Sequence, residues 1–253
     1  MTSFREELYR LKYWGTAAVM ALLTAGCSVY TPTLIQAPMV YKRNQAEVAI
    51  SYHFPTQFEV SGAYAPLKNI LVTGNIAHHP DFNLITSGNN HYYGTEGDMG
   101  LGLYTTFGKS HWYAGVLGGY GFSASFIRFD STRTQPADEY RSHHSYAYAQ
   151  PYLAWHNNKG ISIGAAARQT ALHFSQLEFN NQPVTFPVAT RFQTCLLFLE
   201  LHGNDDIVSD DDIYGRFQIG YSFPQHQQPP VGELHSLPSS NVIIGISLVC
   251  PIH

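Results

Sequence analysis

From Thr95 to Phe129 the chain alternates between apolar and small or polar residues with a period of two. Met99, Leu101, Leu103, Thr105 and Phe107 fall on one side of an extended backbone, and Asp98, Gly100, Gly102, Tyr104 and Thr106 on the other. Beyond Gly108-Lys109-Ser110 the pattern resumes. Trp112, Ala114, Val116, Tyr120, Phe122, Ala124 and Phe126 alternate with Tyr113, Gly115, Gly119, Gly121, Ser123 and Ser125. Two long strands joined by a tight turn are predicted. Their length exceeds that of ordinary soluble sheets, and glycines and serines gathered on one face suit a crowded, polar barrel interior.

The same period extends over the rest of the chain. Ala46, Val48, Ile50, Tyr52 and Phe54 oppose Gln45, Glu47, Ala49, Ser51 and His53. After a turn at Pro55-Thr56, Phe58, Val60, Gly62 and Tyr64 oppose Gln57, Glu59, Ser61 and Ala63. A short turn at 66–69 leads into a third strand, Ile70 to Ala77, and a polar loop, His78 to Gly94, leads into the central hairpin. A second polar loop, Asp130 to Arg141, follows it. Five further strands are expected: His144 to Trp155, Ile161 to Phe174, Arg191 to Leu201, Ile213 to Phe223 and Asn241 to Cys250. The eighth (Cys195, Leu196, Leu197, Phe198, Leu199) is apolar on both sides.

About ten strands result. Connections after strands two, four, six and eight are mostly short, and those after three, five, seven and nine are long. Outer-membrane barrels share this asymmetry, with short periplasmic turns and longer surface loops, and an even strand count brings both termini to the periplasmic side. Trp112 and Trp155 adjoin the short turns, where an interfacial aromatic belt would lie. The expected fold is therefore all-β, an antiparallel up-and-down barrel of about ten strands that spans a membrane.

Composition narrows the classes. Charged residues make up 13% and aromatic residues 14% of the 253 residues, and no segment after the N-terminus is a candidate spanning helix. A net charge of −4 with scattered basic residues argues against nucleic-acid binding. At the N-terminus, Arg5, Arg10 and Lys12 precede an apolar run from Trp14 to Leu23, too short for a mature spanning helix and suited to a secretory signal. The run ends in Leu22-Leu23-Thr24-Ala25-Gly26-Cys27-Ser28, which is similar to a bacterial lipobox, so Cys27 is the candidate lipidation site. Residues 1–26 are expected to be a lipoprotein signal peptide, 27–44 an extended tether and 45–253 the barrel domain. Cys195 and Cys250 fall on strands separated by a third, too far apart to bridge.

Polar residues expected inside the barrel include Glu47, Glu59, Asp98, Gln150, Arg168, Arg191 and Arg216, most simply pairing with one another to fill a narrow lumen. His53, His78, His79, His143, His144 and His173 fall near the long-loop strand ends but lack metal-ligand spacing, and Asn204 to Asp212 lacks the glycine and terminal glutamate of an EF-hand loop. A solvated rim and a solvated turn are the readings. No metal, cofactor or catalytic residue is expected.

Cys27-Ser28-Val29-Tyr30-Thr31-Pro32, Gln36-Ala37-Pro38, Glu47 and Ala63-Tyr64-Ala65 before Asn69-Ile70 resemble the corresponding stretches of uncharacterised β-barrel outer-membrane lipoproteins of Bacteroidota. The resemblance spans most of the mature chain. It implies a Gram-negative outer-membrane setting, with membrane lipid as the partner, and supplies no catalytic residues. The acidic signal that directs some lipoproteins of that group to the cell surface does not follow Cys27, so a periplasm-facing anchor is the expectation. A non-enzymatic envelope or surface-interaction role is the leading reading. One alternative is an outer-membrane hydrolase of lipid A or peptide, with Asp81, His79, His143, His144 and Ser145 at its rim. Another is a tethered soluble barrel binding an apolar ligand, in which Val48, Ile50, Leu101, Leu103, Ile244, Ile246 and Leu248 would point into a core.

Overall fold

The computed structural model describes residues 32–40, 42–54, 56–80, 91–108, 111–129, 138–157, 160–184, 189–202, 213–225 and 241–252. Ten strands close into an antiparallel barrel: β1 (Ala46–His53), β2 (Gln57–Leu67), β3 (Ile70–His79), β4 (His91–Phe107), β5 (Trp112–Phe129), β6 (Asp138–His156), β7 (Ile161–Phe179), β9 (Ala189–Leu201), β10 (Tyr214–Pro224) and β11 (Asn241–Ile252). A two-residue strand, β8 (Gln182–Pro183), pairs only with the end of β7. Each long strand pairs with its sequence neighbour, and β1 closes the ring against β11 from Ala46↔Ile252 to His53↔Gly245. Over the height of the short strands, closure pairs every long strand on both sides, the condition under which strands can cross hydrocarbon.

The alternation read from the sequence sets the two faces. Ile50, Val60, Ile76, Met99, Leu101, Leu103, Phe122, Leu197, Ile246 and Leu248 are each more than half exposed on the outer surface. Glu47, Ser51, Glu59, Asp98, Gln150, Arg168, Arg216 and Ser247 are buried within. Apolar outside and polar inside is the pattern of a transmembrane barrel and the reverse of a soluble one. Of the residues that a soluble ligand-binding barrel would turn into its core, Val48, Ile50, Leu101, Leu103, Ile246 and Leu248 are exposed and Ile244 is half-buried. That alternative is overturned.

One end of the barrel, the turn end, carries the start of β1, the end of β11 and the short connections 68–69, 108–111 and 157–160. The other, the loop end, carries 80–90, 130–137 and 225–240. The connection 202–213 at the turn end and the turn after β1 at the loop end depart from this rule. Trp112 and Trp155 pair directly at the turn end, with Phe107 stacked on Trp112 at 6.1 Å. Outward aromatic pairs also lie towards the loop end, Tyr52 with Phe58 at 5.2 Å and Tyr93 with Phe126 at 4.8 Å. Two girdles flanking an aliphatic belt fit the two interfaces of a bilayer.

The strands are unequal. β4 to β7 run for 17, 18, 19 and 19 residues, whereas the other six run for 8 to 13. Three expected boundaries move as a result: β4 starts at His91, β6 at Asp138, and β7 continues to Phe179. The stretches expected to be polar loops pair instead, Tyr140↔Phe179 and Tyr92↔Ile127 among them, and a small cluster of Ile127, Tyr140 and Leu177 closes over their inner side. Asn180 and Asn181 both adopt positive φ, 50° and 62°, as a two-residue hairpin turn requires, and so fold β8 back on β7.

Candidate functional site: the occupied lumen

Residues 32–40 form no strand, and they lie inside the barrel. Thr33, Leu34, Ile35, Gln36, Ala37, Met39 and Val40 are all buried, Ile35 and Ala37 completely. The segment expected as a tether is thus extended, but its path here runs through the lumen. A free backbone in such a place would leave its amides and carbonyls without water, so the wall supplies partners. The Leu34 N–H donates to Glu59 Oε2 at 2.9 Å and the Met39 N–H to Glu47 Oε2 at 3.3 Å. Gln218 Nε2 donates to the Ile35 carbonyl at 2.9 Å, Gln150 Nε2 to that of Gln36, Tyr152 to that of Pro38 at 3.1 Å and Arg216 Nη2 to that of Ala37 at 3.5 Å. The Gln36 side chain reaches the Gly74 carbonyl, and Arg168 Nη1 donates to Thr33 Oγ1 at 2.8 Å.

Packing completes the fit. Leu34, Ile35, Met39 and Val40 join Leu71, Leu117, Phe192, Leu196, Phe198 and Ile243 in one apolar cluster. Burying side chains of this size stabilises by about 1.5–3 kcal/mol each. Glycines make room for the rings that share the lumen. Gly115, Gly119 and Gly121 of β5 stand opposite Tyr152, Tyr148 and Tyr146 of β6, and a Cβ on Gly119 would lie 2.4 Å from Tyr148 Cζ. The phenols of Tyr146 and Tyr148 donate to Asp98 at 3.2 and 3.1 Å.

Near the turn end the charges form one chain. Arg216 donates to Glu200 Oε1 at 2.7 Å and reaches Glu47 Oε1 at 3.4 Å, while Tyr214 donates to Glu47 Oε2 at 3.3 Å. The second carboxylate is made tolerable by further hydrogen bonds to Glu47, from the Met39 N–H and the Tyr214 phenol. Beside them Ser162 Oγ lies 2.8 Å from His156 Nδ1 and 3.2 Å from His202 Nε2, and Glu200 Oε2 lies 3.5 Å from that same Nε2. A serine and a carboxylate meeting one ring nitrogen cannot relay a proton through the ring. The group therefore lacks the geometry of a catalytic triad.

The loop-end half of the lumen is less saturated. Ser125 and Ser142 hydroxyls meet at 2.8 Å, and Ser142 lies 3.4 Å from His144 Nδ1. Asn75 and His79 are buried, and among the described residues neither side chain has a hydrogen-bond partner. Glu96 Oε1 is in the same position.

No family model matches the chain, and no curated protein matches it. Among solved structures, the chain is similar to the translocator domain of autotransporter NalP from Neisseria meningitidis, at 9% identity, with 82% of this chain and 85% of that chain covered and a TM-score of 0.45.

Of the residues expected to line the lumen, Glu47, Glu59, Asp98, Gln150, Arg168 and Arg216 do so. Arg191 points outward. It belongs to the phase of Cys195 and Leu197, whereas Phe192, Thr194, Leu196, Phe198 and Glu200 face in. Cys195 and Cys250 are free and exposed on β9 and β11, with β10 between them. The rim histidines divide by face, His53, His79 and His144 inward and His78, His143 and His173 outward. His143 and His144, proposed partners in a hydrolase, sit back to back on one strand. Asp81, Cys27 and the Asn204 to Asp212 turn lie outside the described residues, as does the 1–26 signal. The chief features the sequence reading missed are the luminal course of residues 32–40 and the inward Glu200 and Gln218. Leu34, Ile35, Met39 and Val40 were the available signal, since a solvated linker has no use for four such residues.

Proposed function

We propose that this protein is a lipid-anchored outer-membrane β-barrel of the Bacteroidota lipoprotein type, with a non-enzymatic envelope or surface-interaction role rather than that of an open pore. The observation that carries this reading is the lumen filled by residues 32–40 inside a barrel whose outer surface is an apolar belt between aromatic girdles. The filled lumen argues against bulk conduction. The belt favours direct insertion in the bilayer, with the strand ends Ala46 and Ile252 facing the periplasm and the tall β4 to β7 wall presented at the cell surface. Cys27 receives the acyl chain and membrane lipid is its partner. The lipobox-like run before it supports this assignment.

The test replaces residues 1–27 with a cleavable, non-lipidated secretory signal. The protein is expected to remain in the outer membrane after carbonate washing and to migrate differently on gels with and without boiling. A soluble periplasmic product would sink the transmembrane reading. Separately, Cys27→Ala in the full chain should abolish incorporation of labelled fatty acid, and persistence of the label would remove Cys27 as the site.

A further inference from the structure

The luminal segment has a direction. Met39 is held by Glu47, one residue into β1 from the turn end, and Ala37 by Arg216, two residues into β10. Gln36 and Ile35 are held further in, by Gly74 of β3 and Gln218 of β10, each four residues from the turn end. Leu34 and Thr33 are held deepest, by Glu59 of β2 and Arg168 of β7, eight and seven residues in. Read from Thr33 to Met39, the chain therefore descends towards the turn end. It reverses through Asn44, at a φ of 66° and with its N–H donating to the Ala65 carbonyl at 2.7 Å, and then climbs the wall as β1.

A second strand could not return alongside it. At the level of Leu34 to Ala37 the surrounding Gln150, Gln218, Phe192, Ile243 and Ser247 are all at 2% exposure or less, and a Cβ on Gly245 would already lie 2.6 Å from Leu34 Cδ2. We propose that the polypeptide upstream of Pro32 leaves the barrel at the loop end, opposite the C-terminal strand end at Ile252. The acyl chain on Cys27 is then held in the leaflet on the loop-end side. This rests on the lipid-anchored reading for the acyl group alone, and the threading stands without it. Cys27 lies five positions before Pro32, about 17 Å of extended chain at most. Leu34 is already held at Glu59, two residues from the loop-end start of β2, so Cys27 is within reach of the short wall's rim. In the orientation given above, that leaflet is the outer one. This placement replaces the periplasm-facing anchor and periplasmic N-terminus expected from the sequence: the barrel carries its own N-terminus through the membrane to the cell surface.

The experiment inserts a ten-residue stretch containing a site-specific protease sequence between Ser28 and Val29. The same stretch is placed separately at 68–69 and within 225–240 of otherwise intact chains. Each is treated with protease on whole cells and after permeabilisation. The insert after Ser28 is expected to follow the 225–240 insert, cut in at least nine-tenths of molecules on whole cells while the 68–69 insert is cut in fewer than one-tenth. Cleavage that follows the 68–69 insert overturns the proposal, and so does protection under both conditions, because about 33 Å of added chain would clear the mouth.

If the loop-end and turn-end inserts exchange their accessibility, the orientation in the membrane fails. The threading is then judged by whether the Ser28 insert still follows the loop end. Absence of fatty-acid label on the released N-terminal fragment, with cleavage as expected, would remove the lipid anchor and leave the threading. Should the insert prevent the heat-modifiable fold, Tyr30→Cys in a Cys195→Ala, Cys250→Ala background gives the same readout with a membrane-impermeant maleimide. Labelling on whole cells supports the proposal. Labelling only after permeabilisation, or only after unfolding, overturns it.

Discussion

The two sides of the barrel hold the luminal segment by different means. On the short wall, from β9 through β11 and β1 to β3, the carboxylates of Glu47 and Glu59 accept from the segment while Arg216 and Gln218 donate to it, and the strands end after 8 to 13 residues. On the tall wall Gln150, Tyr152 and Arg168 only donate to the segment, the Tyr146, Tyr148 and Tyr152 rings lie over β5 glycines, and the strands continue to 19 residues. A bilayer uses about 9–11 residues of a tilted strand. The short wall is therefore almost entirely membrane element, while the tall wall has nearly a second span's length to present beyond it. Both walls hold the segment, and only the second has strand length left beyond it.

The largest effect should come from the charges of the short wall. Arg216→Ala leaves Glu47 and Glu200 buried without their cation, a loss of about 3–5 kcal/mol. It should appear as a lower urea midpoint for the heat-modifiable band. An unchanged midpoint would mean that water already solvates this end. Next is the outer belt, where Leu101→Lys puts a charge on a residue 62% exposed to lipid and should cost about 2–4 kcal/mol in bilayer folding. The same change without effect would argue that this surface meets water.

On the tall wall, Gly119→Ala should destabilise by about 1–3 kcal/mol through overpacking against Tyr148. Combined with Tyr148→Ala it should cost less than the sum of the two singles, and strict additivity would show that the ring and the glycine do not press on each other. The smallest effect is expected at the tip. Asn181→Ala, at a φ of 62°, should cost about 1 kcal/mol or a little more and leave membrane retention untouched. Loss of retention would mean that the tall wall is not separable from the membrane element.

The wall of the barrel was legible because a strand with lipid on one side and protein on the other must alternate. Val48 and Ile50 outward against Glu47 and Ala49 inward need no tertiary information. Residues 32–40 offer no such pattern. A segment surrounded on all sides buries odd and even positions alike, so Leu34 and Ile35 both face protein, and two prolines break the run. Gln36-Ala37-Pro38 places three consecutive carbonyls on wall donors.

The phase of β9 failed for a related reason. With Leu196 and Phe198 facing an apolar patch of lumen, both faces are oily, and Arg191 alone suggested the wrong one. The ladder position of Glu200 opposite Arg216 would have corrected it. The upper parts of β4, β6 and β7 were hidden because polar strands beyond the bilayer have no apolar stripe to show. Tyr140↔Phe179 depends on a partner some forty residues away.

The central claim, a membrane barrel sealed by its own N-terminal segment, is tested most directly by current across a planar bilayer. The purified full-length protein should insert and stay silent. A variant with Leu34→Gly, Ile35→Gly and Met39→Gly, which keeps the backbone and thins its packing, should show stepwise openings. Steady stepwise conductance from the unaltered protein would contradict the account.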